Sequence, residues 1–254
     1  MALIHVTYRS VALQRRVPLQ VILPVDQLGA DGAYCAPKKF KTLYLLHGLH
    51  GDCTDWVSGT RIQRWAEERG LAVVMPSGDN AFYVDRPASG NCYGEFVGRE
   101  LVEVTRRMFP LSDKKEDTFI GGLSMGGYGA MRNGLKYYQT FGAAISLSGA
   151  VDILYSPLVK SNAAFGESLF GSMDEVIASD KNIRVLIQQL KGKQDLPRIY
   201  MCCGTEDFLL DQSRTCRALL EDAGFDVTYE EGPGNHNWEF WDTYIKKIVD
   251  WLPL

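Results

Sequence analysis

No apolar run in this chain approaches the ~18 residues that a membrane-crossing helix requires. Its first stretch, Met1–Arg9, lacks the charged start, long apolar core and small-residue cleavage site of a secretory leader. The expected compartment is the cytoplasm, with no membrane partner. None of the six cysteines forms Cys-x-x-Cys, and neither His-Glu-x-x-His nor a cysteine–histidine cluster occurs, so no metal is expected. Gly-Lys-Ser/Thr is missing too. The pairs Gly121-Gly122 and Gly126-Gly127 therefore do not read as a phosphate-binding loop, and no cofactor is implied. Basic blocks are absent: 27 Lys and Arg stand against 31 Asp and Glu, scattered as doublets such as Arg15-Arg16 and Lys246-Lys247. That balance excludes a nucleic-acid patch.

What is present is an ordinary globular composition, 46% hydrophobic and 23% charged, over 254 residues. This is enough chain for one α/β domain over 1–254. Ile4–Tyr8 and Val17–Leu23 read as strands, and Asp26–Lys41, with Gly29, Gly32 and Pro37, as a loop. Short apolar runs follow at Thr42–Leu46, Leu71–Met75, Thr118–Gly121, Gly142–Leu147 and Arg198–Cys203, with Asp226–Glu230 as an edge strand. Helical spacing lies between them: Arg61–Arg69, Glu95–Phe109, the segment after Ser124 to about Tyr138, Phe208–Ala223 and Trp238–Leu252. The alternation predicts a mostly parallel central sheet with helices on both faces. Ser77–Tyr93 and Val151–Asp195 break the rhythm. The second is longer than one crossover helix needs and reads as a small cap-like excursion above the strand ends. Cys202 and Cys203 fall within a buried strand and are expected to be reduced.

The densest signal is Thr118–Gly129, where Gly122-Leu123-Ser124-Met125-Gly126 places a Gly-x-Ser-x-Gly turn between a strand and a helix. A serine hydroxyl attacks a carbonyl only when a neighbouring base takes its proton and an acid holds that base in one tautomer. With the order Ser, acid, His, the base must follow Ser124, and of the four histidines only His236 does. It sits in the breaker-rich Gly232-Pro233-Gly234-Asn235-His236 loop. The acid should leave the strand before it, where Glu206 and Asp207 stand, and Asp207 is the preferred choice. Backbone donors for an oxyanion are expected at Met125, after the nucleophile, and at Leu49 in His47-Gly48-Leu49-His50-Gly51. His47 and His50 themselves read as loop structure.

These segments resemble a known family. Leu-Leu-His-Gly-Leu-His-Gly-Asp (45–52) with Trp56, Gly-Gly-Leu-Ser-Met-Gly-Gly-Tyr-Gly (121–129), Cys-Gly-Thr-Glu-Asp (203–207) and Gly-Asn-His-Asn-Trp (234–238) are similar to the tributyrin esterase group. That group belongs to the esterase D branch of the α/β-hydrolases. The resemblance implies an α/β-hydrolase fold and a serine carboxylesterase acting on short acyl esters. It further implies Ser124, Asp207 and His236 as triad, with Leu49 and Met125 as oxyanion donors. The same branch holds S-formylglutathione hydrolases and feruloyl or acetyl-carbohydrate esterases, which stand as alternatives. Formylglutathione hydrolases usually carry histidine before the nucleophile, whereas this chain has Leu123. A homodimer or higher assembly fits the resemblance.

Trp56, Phe82, Tyr83, Tyr93 and Trp238 are expected to wall an apolar pocket for a short acyl chain or an aromatic acid. Two other readings share the residues. A non-catalytic binding protein on the same fold predicts loss of a triad member, and all three are present. Acyl transfer to an alcohol would begin with the same attack by Ser124.

Overall fold

Strands with no polar alternation have to be covered on both sides. The computed structural model, which describes residues 1–35, 39–155 and 162–254, shows that cover. Pro37, and residues 156–161 of the excursion, lie outside the described residues. The strands are β1 (Ala2–Ser10), β2 (Arg15–Leu23), β3 (Thr42–Leu46), β4 (Ala72–Pro76), β5 (Asp85–Arg86), β6 (Asn91–Cys92), β7 (Thr118–Leu123), β8 (Ala143–Leu147), β9 (Arg198–Gly204) and β10 (Val227–Gly232). Among the described residues the main sheet runs β1-β2-β4-β3-β7-β8-β9-β10, and β5 with β6 makes a separate ribbon. β1–β2 and β2–β4 pair antiparallel, and every later pair in the main sheet is parallel.

Side chains alternate between two cores. Tyr44, Leu46, Val74, Ile120 and Ala144 face the helices Leu101–Met108, Met125–Lys136, Ile183–Leu190 and Leu210–Asp222. Leu43, Leu45, Val73, Phe119 and Ile145 face Trp56, the helix Ile62–Arg69 and the last helix Trp238–Trp251. The expected mostly parallel sheet with helices on both faces is the observed one. Gly70 ends its helix in the left-handed conformation at φ 62°, as a glycine stop should.

Three details depart from the sequence expectation. A short helix, Asp55–Gly59, precedes Ile62–Arg69. The run Glu95–Phe109 is not one α-helix, because Phe96–Glu100 form a π turn before Leu101–Met108. The extra residue in that turn rotates the buried face. Leu101, Val102 and Thr105 point inward, while Val104 is half-buried and Met108 is exposed. Third, part of Val151–Asp195 is an ordinary crossover. Ile183, Leu186, Ile187 and Leu190 bury one helix face in the same core as the helix after Ser124. Among the described residues the additional helical material is Ile153–Tyr155, Ala163–Phe170 and Met173–Ala178.

A buried cation ties the two irregular segments together. Arg132, fully buried on the helix Met125–Lys136, reaches Asp85 at 3.3 Å and Asp180 at 2.8 Å. Lys136 meets the same carboxylates at 3.1 and 2.7 Å. Asn133 Nδ2 donates to the Tyr83 carbonyl at 3.0 Å. Burial alone would raise Asp85 and Asp180, but the charges of Arg132 and Lys136 outweigh it and hold both below the ordinary 3.8. Carboxylates depressed in the fold stabilise it above their unfolded value, and that contribution is lost as pH falls through the folded value. Arg132→Met, which leaves two carboxylates sharing one lysine, is expected to destabilise by about 3 kcal/mol in urea unfolding at neutral pH. The gap to wild type should narrow below pH 3.8 as Asp85 and Asp180 protonate. A loss independent of pH would mean that Arg132 acts by shape alone.

Candidate active site

The turn at the end of β7 is as tight as its glycines suggest. A Cβ on Gly122 would lie 2.5 Å from the backbone of Gly126, and one on Gly126 would lie 2.4 Å from the Leu46 carbonyl oxygen. Between them Ser124 adopts φ 53° and ψ −117°. A non-glycine residue there is strained by about 1–3 kcal/mol. β8 and the loop after it hold it in place: Ser124 N–H donates to the Leu147 carbonyl at 2.9 Å, and Ala150 N–H donates to the Ser124 carbonyl at 3.1 Å.

The structure brings Ser124, His236 and Asp207 into one line. Ser124 Oγ lies 3.0 Å from His236 Nε2, and His236 Nδ1 lies 2.9 Å from Asp207 Oδ2. Asp207 is buried, and its Oδ1 accepts Leu209 N–H at 2.9 Å. Burial pulls this carboxyl upward, but hydrogen bonds from His236, Leu209 and Ser148 outweigh it and hold it below the ordinary aspartate value. An ionised carboxylate only accepts, so His236 Nδ1 carries the proton and Nε2 is free to accept from the serine hydroxyl. Glu206, the other carboxylate of the pair, faces away. It is exposed and takes Gly234 N–H at 2.6 Å, while its own N–H donates to the Gly234 carbonyl at 3.0 Å. That latch fastens the histidine loop, and Asn237 caps the helix beyond by accepting Phe240 N–H at 3.0 Å.

The loop after β3 comes against the turn because Gly48 is bare. A Cβ there would be 2.7 Å from Leu123 Cδ1, and Ser124 Cβ lies just beyond at 3.5 Å. His47 is buried. Its Nε2 accepts Gly78 N–H at 2.8 Å, so Nδ1 is the donor to the Gly48 carbonyl at 2.6 Å. Burial lowers its pKa and keeps the ring neutral, which that tautomer requires. Tyr83 Oη donates to the His47 carbonyl at 3.0 Å. A trans peptide aims its C=O and N–H in opposite directions. With the Gly48 carbonyl turned back onto His47, Leu49 N–H points away, and no described residue accepts it. Met125, first in its helix, has no intrahelical acceptor for its N–H. His50, exposed at φ 66°, donates its N–H to Asn80 Oδ1. His47 is structural, as expected, and His50 contributes its backbone to the loop.

The aromatic residues expected to wall a pocket mostly do not. Trp56, Phe82, Tyr83 and Tyr93 are each at most 2% exposed. Trp56 Nε1 donates to the Leu46 carbonyl, Phe82 packs on Tyr128 and Phe170, and Tyr93 Oη bonds Asp79 and Arg15. Each ring holds up a loop, because leaving that much apolar surface in water costs more than packing it beneath the chain. Only Trp238 is half-buried, edge-on to Trp56 and Trp241. An apolar cavity of about 400 Å³ lies instead in the excursion, between Ile153, Leu154, Phe170 and Val176.

Sequence reasoning missed two neighbours of His236. Phe208 is 65% exposed, with its ring centroid 4.7 Å from the imidazole. Trp241 meets the ring edge-on at 5.0 Å and donates Nε1–H to Ser148 Oγ at 3.2 Å. Their one signal was closeness in the chain, Phe208 directly after Asp207 and Trp241 five residues after His236.

Fold and sheet order are those of α/β-hydrolases, and the enzyme class is serine ester hydrolase. Within that class the chain belongs to the esterase family whose model, described as "Putative esterase", matches residues 10–252. It is 42% identical to an acetyl esterase of Caldicellulosiruptor saccharolyticus over 266 aligned residues, covering 99% of this chain and 98% of that one. A crystal structure of S-formylglutathione hydrolase (FrmB) from Staphylococcus aureus is similar with TM-score 0.87 and 32% identity, covering 99% of this chain and 98% of that one. The fluorophosphonate-binding serine hydrolase FphF of the same organism gives 0.88 and 32%, with the same coverage. Among the described residues no helix is long and apolar enough to cross a membrane.

Gly126→Ala should cost about 3 kcal/mol, because the added carbon would meet two backbone oxygens, of Leu46 and His47, that no side-chain movement can clear. The urea midpoint reads this directly. An unchanged midpoint would show that the end of β3 yields.

Proposed function

We propose that this protein is a serine carboxylesterase of short acyl esters, with acetyl esters as its leading substrates, acting through an acyl-enzyme on Ser124. The observation that carries the reading is the Ser124–His236–Asp207 line, at 3.0 and 2.9 Å. Likeness to an acetyl esterase supports the choice of acyl group. In this mechanism Ser124 Oγ attacks the ester carbonyl carbon while its proton passes to His236 Nε2. The negative oxygen of the tetrahedral intermediate lies between Leu49 N–H and Met125 N–H, neither of which has an acceptor among the described residues. Collapse breaks the bond to the alcohol oxygen, and His236 returns its proton to that oxygen. Water then attacks the acyl-enzyme and gives a proton to His236. The acid leaves, and Ser124 regains its hydrogen. Asp207 stays ionised throughout and holds the imidazolium.

The proposal takes 1–254 as one α/β-hydrolase unit, with the part of 151–195 that precedes the crossover helix Ile183–Leu190 as its cap and the cytoplasm as its compartment. A second reading, thioester cleavage of the S-formylglutathione type, is favoured by the likeness to FrmB. S-formylglutathione therefore belongs in the substrate panel.

Ser124→Ala is expected to lower kcat/KM for p-nitrophenyl acetate by ~10³-fold or more, with the butyrate and acetate esters cleaved faster than the octanoate by wild type. Turnover that survives the substitution would sink the assignment of the nucleophile. A steady rise from acetyl to octanoyl would sink the short-acyl preference.

A further inference from the structure

Phe208 stands out among the large apolar side chains because its exposure is imposed by its neighbours. Asp207 before it and Leu209 after it are buried at 5% and 2%, whereas Phe208 is 65% exposed. The turn is pinned at both ends. Leu209 N–H donates to Asp207 Oδ1, and Leu210 N–H donates to the Asp207 carbonyl at 3.1 Å. The backbone that positions Asp207 therefore also aims Phe208 outward, and its ring comes to rest 4.7 Å from the His236 ring at a tilt of 50°. Trp241 covers the imidazole from the buried side, edge-on at 5.0 Å. Phe208 covers it from the solvent side, and its own outer surface is left bare.

Resting on the esterase reading above, the position of that ring relative to the reaction follows from proton delivery. His236 Nε2 must reach the alcohol oxygen of the breaking bond, so the leaving group lies beside the imidazole, while the acyl group extends from the other side of the carbonyl carbon. A ring packed beside the imidazole thus borders the leaving group and not the acyl group. We propose that Phe208 is a specificity-determining residue that packs against the leaving group, favouring esters of broad apolar or aromatic alcohols over those of small ones. The apolar surface that the fold leaves exposed is covered when such an alcohol binds.

The test compares each variant with wild type on the same ester, so intrinsic differences in leaving-group reactivity cancel. Phe208→Ala should lower kcat/KM for phenyl acetate roughly tenfold, the value of one lost apolar contact, while methyl acetate changes less than about twofold. The ratio of methyl acetate to methyl butyrate should stay as in wild type, because the acyl side is untouched. Phe208→Trp should keep the preference for phenyl acetate. Equal falls for both acetates would overturn the proposal, since a ring that merely shields or props His236 affects every ester alike. So would no change for either acetate, or a shift confined to the acyl ratio. Wild type that cleaves neither acetate, or Ser124→Ala that cleaves both, is a different failure: it removes the esterase reading and this assignment with it.

Discussion

The contact on which the rest of the structure depends is the one between the end of β3 and the first turn of the helix Met125–Lys136. Gly126 lies so close to the Leu46 and His47 carbonyl oxygens that a methyl group there would sit 2.4 and 2.6 Å from them. Only that approach lets β7 end in a turn sharp enough to hold Ser124 at φ 53°. The same approach delivers the loop after β3 to the serine. Strain at Ser124 persists because surrounding structure over-determines it: the Leu147 carbonyl, Ala150 N–H and Tyr128 N–H all bond its backbone. A looser packing would relax the serine and separate it from Leu49 in one step.

Around that contact, several groups that look reactive serve as fasteners. Buried and neutral, His47 uses both ring nitrogens on backbone, so it fixes the Gly48–Leu49 peptide and offers no proton to chemistry. Glu206 spends its carboxylate on Gly234 N–H, and Arg132 is enclosed by Asp85 and Asp180. Cys202 and Cys203 lie buried in β9, where desolvation raises both thiols, the second to about 12, and keeps them protonated. Charge and hydrogen bonding here serve mainly to fix loops over a rigid sheet, which leaves the His236 imidazole beside Ser124 with its orientation set.

The elements most legible in the sequence were those governed by local rules. Thr42–Leu46 reads directly as a buried strand because every residue is apolar or β-branched, and Gly70 marks a helix end because it alone takes φ 62° without cost. Ser124 and His236 of the proposed triad were legible from chain order, and the acid as the pair Glu206-Asp207 with Asp207 preferred. The structure shows which of Glu206 and Asp207 faces His236, a choice that adjacency in sequence cannot make. What was not legible arises from long-range packing. The π turn at Phe96–Glu100 leaves the apolar spacing intact and alters only which residues face inward. Aromatics in Ser77–Tyr93 read as a pocket wall because that polar loop is expected above the carboxyl ends of the strands, where such sheets bind ligands. The Tyr83 hydroxyl instead reaches the His47 carbonyl, and Phe82 packs with Phe170 from the excursion.

That redistribution of aromatic side chains bears on how such a site divides rate from selectivity. Trp56, Trp238, Trp241, His236 and Phe208 form a continuous chain of edge-on and tilted rings, from the sheet core to the surface. Its inner members are closely packed, and each is held by what it touches: Trp56 by the Leu46 carbonyl and Trp241 by Ser148. Close-packed rings have few alternative rotamers, so the imidazole at their end inherits a fixed position. Such fixity favours proton transfer, which depends on alignment to a few tenths of an ångström. Selectivity instead depends on surface that substrate can displace water from, and packing removes that surface. The inner rings therefore orient the histidine and have little left with which to discriminate. Discrimination falls to the sparse apolar groups left uncovered beside it, and these are the positions at which a sequence can change substrate without disturbing the fold.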